Sequence, residues 1–185
     1  QYSGTVRNVY NLASIRSTGS HSGGVVGFIH TGTISYVYNM GAIWGTNYVG
    51  GLVGYTNGST NSYYNTISYG YNAGTVAGSG YIGGVLGHNA GYPTSGNSRS
   101  YLYYDLASIA NYIQPSGFSK PTQAVGNIGN GGNILGLDSG HLLTNMANYG
   151  FTSNWKLEPK DTTYAYYPQL LIFADSETSK IVAAS

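Results

Sequence analysis

Residues 1–104 contain no aspartate or glutamate, and all six acids lie from Asp105 onward. Glycoside hydrolysis uses two carboxylates at a set separation, one as acid and one as base or nucleophile. Nothing in the first 104 residues supplies either. A β-helical lyase would need acidic calcium ligands beside a basic residue, since a hard cation takes several oxygen donors, charged ones among them. The same stretch lacks them. The histidines are His21, His30, His88 and His141, with no i, i+4 pair and no acid near the first three in sequence. A zinc site needs three or four convergent ligands, so His88 reads as a ring at a core edge, in the place that Phe28 and Tyr55 hold in sister segments. Asp138, Ser139 and His141 carry the letters of a hydrolytic triad but stand too close in sequence for its geometry. The Gly-Gly-x-x-Gly segments lack the lysine of a phosphate loop, and no helix follows them to offer an N-terminus. The expectation is a non-enzyme with no catalytic residue, no metal and no cofactor.

Tyrosine is the residue class with chemical promise. Twenty phenols, with Trp44 and Trp155, exceed what a thin core holds. Clusters such as Tyr63-Tyr64, Tyr69-Tyr71, Tyr101-Tyr103-Tyr104 and Tyr164-Tyr166-Tyr167 put rings on both faces of a strand, so some face water. An exposed tyrosine offers rigid contact area with a hydrogen-bonding tip, useful against sugars or protein surfaces. Trp44, Tyr55, Tyr63, Tyr64 and Tyr81 are the expected contact residues. The competing reading is that such rings only line edges and packing seams.

Composition narrows the classes further. The 185 residues suit one domain. Charged residues make up 7% of the chain and the net charge is +1, against roughly 25% charged residues in an average globular protein. So few lysines and arginines cannot neutralise many phosphates, which argues against nucleic acid. No apolar run approaches the ~20 residues of a helical membrane span. Hydrophobic residues reach 41%, enough for a core. With 29 glycines and no cysteine, a β-rich chain without disulfides or thiolate sites is expected. The opening Gln1-Tyr2-Ser3-Gly4-Thr5 shows no signal peptide and reads as the middle of a longer chain.

The elements that position these residues repeat. Gly23-Gly24-Val25-Val26-Gly27, Gly50-Gly51-Leu52-Val53-Gly54 and Gly83-Gly84-Val85-Leu86-Gly87 are three copies, spaced 27 and 33 residues apart. In phase with them run Tyr10-Asn11, Tyr38-Asn39 and Tyr71-Asn72, followed by Tyr104-Asp105. Gly4-Thr5-Val6, Gly32-Thr33-Ile34 and Asn65-Thr66-Ile67 mark a third phase. Short β-branched and aromatic runs bounded by glycine, asparagine and serine read as strands and turns. A unit of about 30 residues cannot bury its own apolar face, but stacked on its neighbours it builds one continuous core. The predicted fold is all-β, a right-handed β-solenoid (β-helix) of about one turn per unit, with a β-prism or roll as the alternative. Stacking predicts a ladder of rings at Tyr10, Tyr38, Tyr71 and Tyr104, and a ladder of amides at Asn11, Asn39 and Asn72. The paired glycines then permit positive φ or close backbone approach at a corner.

The Gly-Gly-Leu-Val-Gly-Tyr core with Tyr-Asn-x-Gly-x-Ile/Val resembles the GLUG motif of bacterial cell-surface and secreted proteins. The motif's Gly-Leu-any-Gly core appears literally as Gly51-Leu52-Val53-Gly54, with Val25 or Val85 in the other copies. The resemblance covers about residues 4–92. It continues through Tyr103-Tyr104-Asp105, Gly136-Leu137, Met146, Trp155 and Tyr167-Pro168-Gln169-Leu170. It implies a non-catalytic module of exported bacterial proteins, such as adhesin-like stalks or the amino-terminal regions of immunoglobulin-cleaving metallopeptidases.

Residues 1–110 are therefore expected to form the GLUG-type repeat solenoid. Residues 111–171 would be an irregular loop plus a capping segment, and 172–185 a last strand or a linker. Gly131-Gly132-Asn133-Ile134-Leu135-Gly136 reads as a degenerate fourth glycine copy, and 139–150 as the cap's one short helix, started by Asp138 or Ser139 and ended by Gly150. Trp155, Leu157, Tyr167 and Leu170 would cover the last coil. The expected function is an extracellular adhesive or structural stalk making weak contact with host glycan, host protein or a neighbouring copy. Low charge also permits lateral self-association. The alternative is an accessory region that positions substrate for a secreted metallopeptidase's separate catalytic domain.

Overall fold

The structure, a computed structural model, describes residues 3–58, 64–90, 98–110, 112–126, 134–137, 148, 150–156 and 167–173. The first repeat contributes β1 (Thr5–Asn11), β2 (Ile15–Arg16), β3 (His21–Gly23) and β4 (Val26–Ile29). The second contributes β5 (Gly32–Asn39), β6 (Ile43–Trp44), β7 (Tyr48–Gly50) and β8 (Val53–Thr56). The third contributes β9 (Asn65–Asn72), β10 (Val76–Ala77), β11 (Tyr81–Gly83) and β12 (Leu86–Asn89). Beyond them lie β13 (Ser98–Asp105), a short helix α1 (Leu106–Ala110), β14 (Ile134–Leu137), β15 (Trp155–Lys156) and β16 (Gln169–Leu170).

Like strands pair with like. The sheets run β1-β5-β9-β13-β14, β2-β6-β10, β3-β7-β11 and β4-β8-β12, all parallel, while β15 and β16 form an antiparallel pair. The chain is mostly β, and each repeat adds one strand to each of four columns. Register follows the repeat: Tyr10 pairs with Tyr38 and Tyr38 with Tyr71, while Gly23 pairs with Gly50 and Gly50 with Gly83.

One residue in each long strand breaks the alternation of faces. Asn8, Tyr36, Tyr69 and Tyr101 have φ of 56°, 55°, 54° and 54°, in the left-handed region. That bend lets Ile34 and Val37, three residues apart, both point into the core, where both are fully buried. Ile67 and Leu102 do the same, and Leu52, Val53, Val85 and Leu86 close the core from the glycine columns. A smaller cluster of Ile43, Val49, Val76 and Ile82 fills the other corner. Each such side chain contributes about 1.5–3 kcal/mol by leaving water.

Asparagine ties the columns together. Asn11 Nδ2 donates to Asn39 Oδ1 and Asn39 Nδ2 to Asn72 Oδ1, both at 2.7 Å. Each amide also closes its own turn, as Asn39 does by donating to Gly41 O and accepting from Gly41 N–H. The glycine pairs face these ladders at close quarters. A Cβ on Gly51 would lie 2.3 Å from Asn72 Cγ and 2.2 Å from Gly84 O. Close approach, and not positive φ, is what the pairs supply, since the positive-φ glycines are Gly4, Gly32, Gly117 and Gly150.

The fourth repeat departs from expectation. Tyr71 pairs with Tyr103, and Asn72 with Tyr104. Tyr104 is therefore not a rung of the tyrosine ladder, and Asp105 does not end the amide series. This unit is one residue shorter than the one before it, and adjacent tyrosines make both registers look alike in sequence. Tyr104 instead turns into the core over Gly84, whose Cβ would come within 2.5 Å of its ring. Residues 134–137 are not a fourth glycine copy but β14, beside β13. The next rung of the glycine column is Ala124–Gly126, where Val85 and Leu86 donate to Ala124 O and Gly126 donates to Leu86 O. Helix α1 follows β13 directly, where earlier repeats make two-residue strands. The helix expected over 139–150 and Leu157 lie outside the described residues, apart from 148 and 150.

The C-terminal residues do not sit over the last coil as expected. They lie along the side of the tyrosine ladder as a strap. Phe151 meets Tyr103 at 5.7 Å between ring centroids, Trp155 meets Tyr71 at 5.8 Å and Tyr38 at 6.1 Å, and Phe173 meets Tyr10 at 5.0 Å. With Tyr167 and Leu170 they bury Tyr38, Tyr71 and Tyr103.

Candidate functional site

Parallel strands in register set equivalent side chains about 4.8 Å apart, close enough for rings to stack. Two aromatic columns result on one face. His21, Tyr48 and Tyr81 open β3, β7 and β11, while Phe28, Tyr55 and His88 are the third residues of β4, β8 and β12. Stacking distances within the columns run from 4.9 Å for Tyr55–His88 to 5.7 Å for Tyr48–Tyr81. Across the columns the rings meet edge to face, as Tyr48 does with Tyr55 at 5.0 Å. Ring faces are thus used on one another, leaving edges and tips outward. Burial pushes both imidazoles, His21 and His88, below their ordinary pKa. Among the described residues, His88 Nδ1 has no hydrogen-bond partner.

The expected contact residues do not form one site. Tyr81 is 48% exposed, and it meets half-buried Tyr55 only through the shared rings of Tyr48 and His88. Tyr64 is 45% exposed, at the entry to β9, where its carbonyl accepts from Thr31 and Gly32. Trp44 is committed to a contact of its own, donating its indole N–H to Tyr112 Oη at 2.5 Å. Tyr63 lies outside the described residues.

Sequence reasoning missed a third column. Tyr36, Tyr69 and Tyr101, the residues in left-handed conformation, stack at 5.0 and 4.8 Å with interplanar angles of 3° and 9°. The Arg7 guanidinium lies 4.8 Å from the centroid of Tyr36. These rings form one wall of a cleft of about 290 Å³, and the strap forms the other with Thr152, Asn154 and Trp155. The signal was present in the sequence: each of these tyrosines stands two residues before a ladder tyrosine.

Charged groups serve the frame. Asp105, the one acid among the described residues, is fully buried. Its Oδ1 accepts from Ala107 N–H at 2.8 Å and caps α1, while Oδ2 accepts from the Tyr167 hydroxyl. Arg99 replaces the inward Ile67 of the previous strand and spreads its charge over neutral oxygens. It donates to Asn65 O at 2.7 Å, to Asn89 Oδ1 at 2.8 Å and to Thr56 Oγ1 at 3.2 Å. No group of three or more metal-ligating side chains occurs among the described residues.

No protein family, curated protein or solved structure matches the chain in comparison.

Proposed function

We propose that this chain is a non-catalytic repeat module, a right-handed β-solenoid of the GLUG type, that serves an exported bacterial surface protein as an adhesive or structural stalk. The observation that supports this most is the like-on-like register of four parallel columns, which repeats one surface from unit to unit. Such an array gives reach by stacking and multiplies weak contacts along its length. Asp105, the one acid among the described residues, is buried with one carboxylate oxygen on the first turn of α1 and the other on Tyr167, which supports a structural role. The aromatic columns present phenol tips and ring edges suited to polyhydroxylated or protein surfaces.

The purified chain, applied to a glycan array and incubated with soluble polysaccharides, is expected to bind and to release no reducing ends. Release of reducing ends would overturn the non-catalytic reading. An array signal unchanged by Tyr55→Ala and Tyr81→Ala, and equally unchanged by substitutions in the third column, would remove the adhesive role.

A further inference from the structure

Tyr36, Tyr69 and Tyr101 each hold a left-handed φ. A left-handed φ costs an ordinary side chain of order 1–3 kcal/mol, and the first repeat avoids most of that cost by placing Asn8 there. Stacking returns about 0.5–1.5 kcal/mol for each ring pair, so phenylalanine would make the same ladder. The phenol oxygens are the surplus. Among the described residues none of them has a hydrogen-bond partner, and parallel register sets them in a row along the stack.

Across the cleft the strap supplies Thr152 and Asn154, and Trp155 stands behind them. Trp155 is 5% exposed, and its indole N–H is buried without a hydrogen-bond partner among the described residues. A buried donor left unpaired costs about 1–3 kcal/mol. Gly150, with φ of +86°, lets the strap come this near, because a Cβ there would lie 2.6 Å from the Tyr101 ring. Among the described residues, the cleft wall carries no ionisable side chain other than phenols. Donors and acceptors in a row, with no lysine, arginine, aspartate or glutamate among the described lining residues, match a neutral, polyhydroxylated chain.

We propose that this cleft binds a neutral oligosaccharide lying along the Tyr36–Tyr69–Tyr101 column, its hydroxyls bridging the phenols to Thr152 and Asn154. The proposal rests on the reading of the chain as a binding module and names its ligand class and site. Affinity arises from hydrogen bonds to the phenol tips and from contact with ring edges, since the ring faces are taken.

The test uses the whole chain carrying Trp44→Phe, which leaves Trp155 as the one indole. It is titrated with cello-, malto-, xylo- and N-acetylchito-oligosaccharides. At least one is expected to give a saturable change in Trp155 fluorescence, weakened tenfold or more by joint Tyr36→Phe, Tyr69→Phe and Tyr101→Phe. Those substitutions keep the rings, and an unchanged thermal midpoint shows that the fold persists. Thr152→Ala, on the opposite wall, gives a second and independent weakening. No saturable change with any of the four, or full affinity in the triple variant, overturns the proposal. Glycan binding lost through Tyr55→Ala or Tyr81→Ala but kept in the triple variant overturns the cleft while leaving the binding-module reading intact.

Discussion

The hydroxyl of Tyr167 hydrogen-bonds the buried carboxylate of Asp105, joining the strap to the last residue of β13. The same carboxylate holds the first turn of α1, so helix and strap share one anchor. Hydrogen bonds to a charged group contribute about 1.5–3 kcal/mol each. Tyr167→Phe is expected to lower the unfolding free energy by about that amount in urea titration. A midpoint equal to wild type would show that the latch contributes nothing.

The amide ladder predicts a positional gradient. Asn39 bonds to both neighbouring rungs and to its own turn, whereas Asn11 is an end rung. At about 0.5–1.5 kcal/mol per bond, the four bonds of buried Asn39 put Asn39→Ala at about 2–6 kcal/mol, and the three bonds of the more exposed Asn11 put Asn11→Ala below it. Equal losses would mean that the turn bonds dominate and the ladder does little.

Periodic contacts were legible in the sequence, and lateral ones were not. The glycine, asparagine and tyrosine phases appeared in the residue order because a parallel stack repeats the same neighbour once per unit. The shift to Tyr103 was hidden by the adjacent Tyr104 and by a unit one residue shorter than the one before it. The strap was illegible because Phe151, Trp155 and Phe173 meet residues from different repeats, a pattern with no period. The cleft column escaped notice because tyrosine is a poor candidate for positive φ, although Asn8 at the same phase hinted at the bend.

Glycine 51 tests the close approach directly. Its Cβ would meet the Asn72 side chain at 2.3 Å and the Gly84 carbonyl oxygen at 2.2 Å, and the Gly84 backbone, held between β11 and β12, has little room to yield. Gly51→Ala is expected to cost at least the roughly 1–3 kcal/mol of an overpacked core, read as a lower thermal midpoint. A stability within experimental error of wild type would contradict the packing described for this column.

Acid should loosen the aromatic face. Burial lowers the pKa of His21 and His88 from 6.5 in the folded chain, so the unfolded chain binds more protons between the two values. Stability from these rings is complete above pH 6.5 and is lost as pH falls below it. The thermal midpoint should therefore drop on acidification through this window. Joint His21→Phe and His88→Phe should flatten that part of the profile, given that Phe28 already occupies the column of His88. A profile of unchanged slope in the double variant would place the pH sensitivity elsewhere.

Because Phe173 reaches Tyr10 while Phe151, at the other end of the strap, rests on Tyr103, a single peptide measures the array from its first rung to its fourth. Most stacked proteins can lengthen by duplicating a unit, since each unit knows only its neighbours. Here an added unit would outrun the tape laid across it, leaving one terminal ring bare. Duplication inside these four rungs would thus disturb the aromatic cover that Phe151 and Phe173 give the ladder.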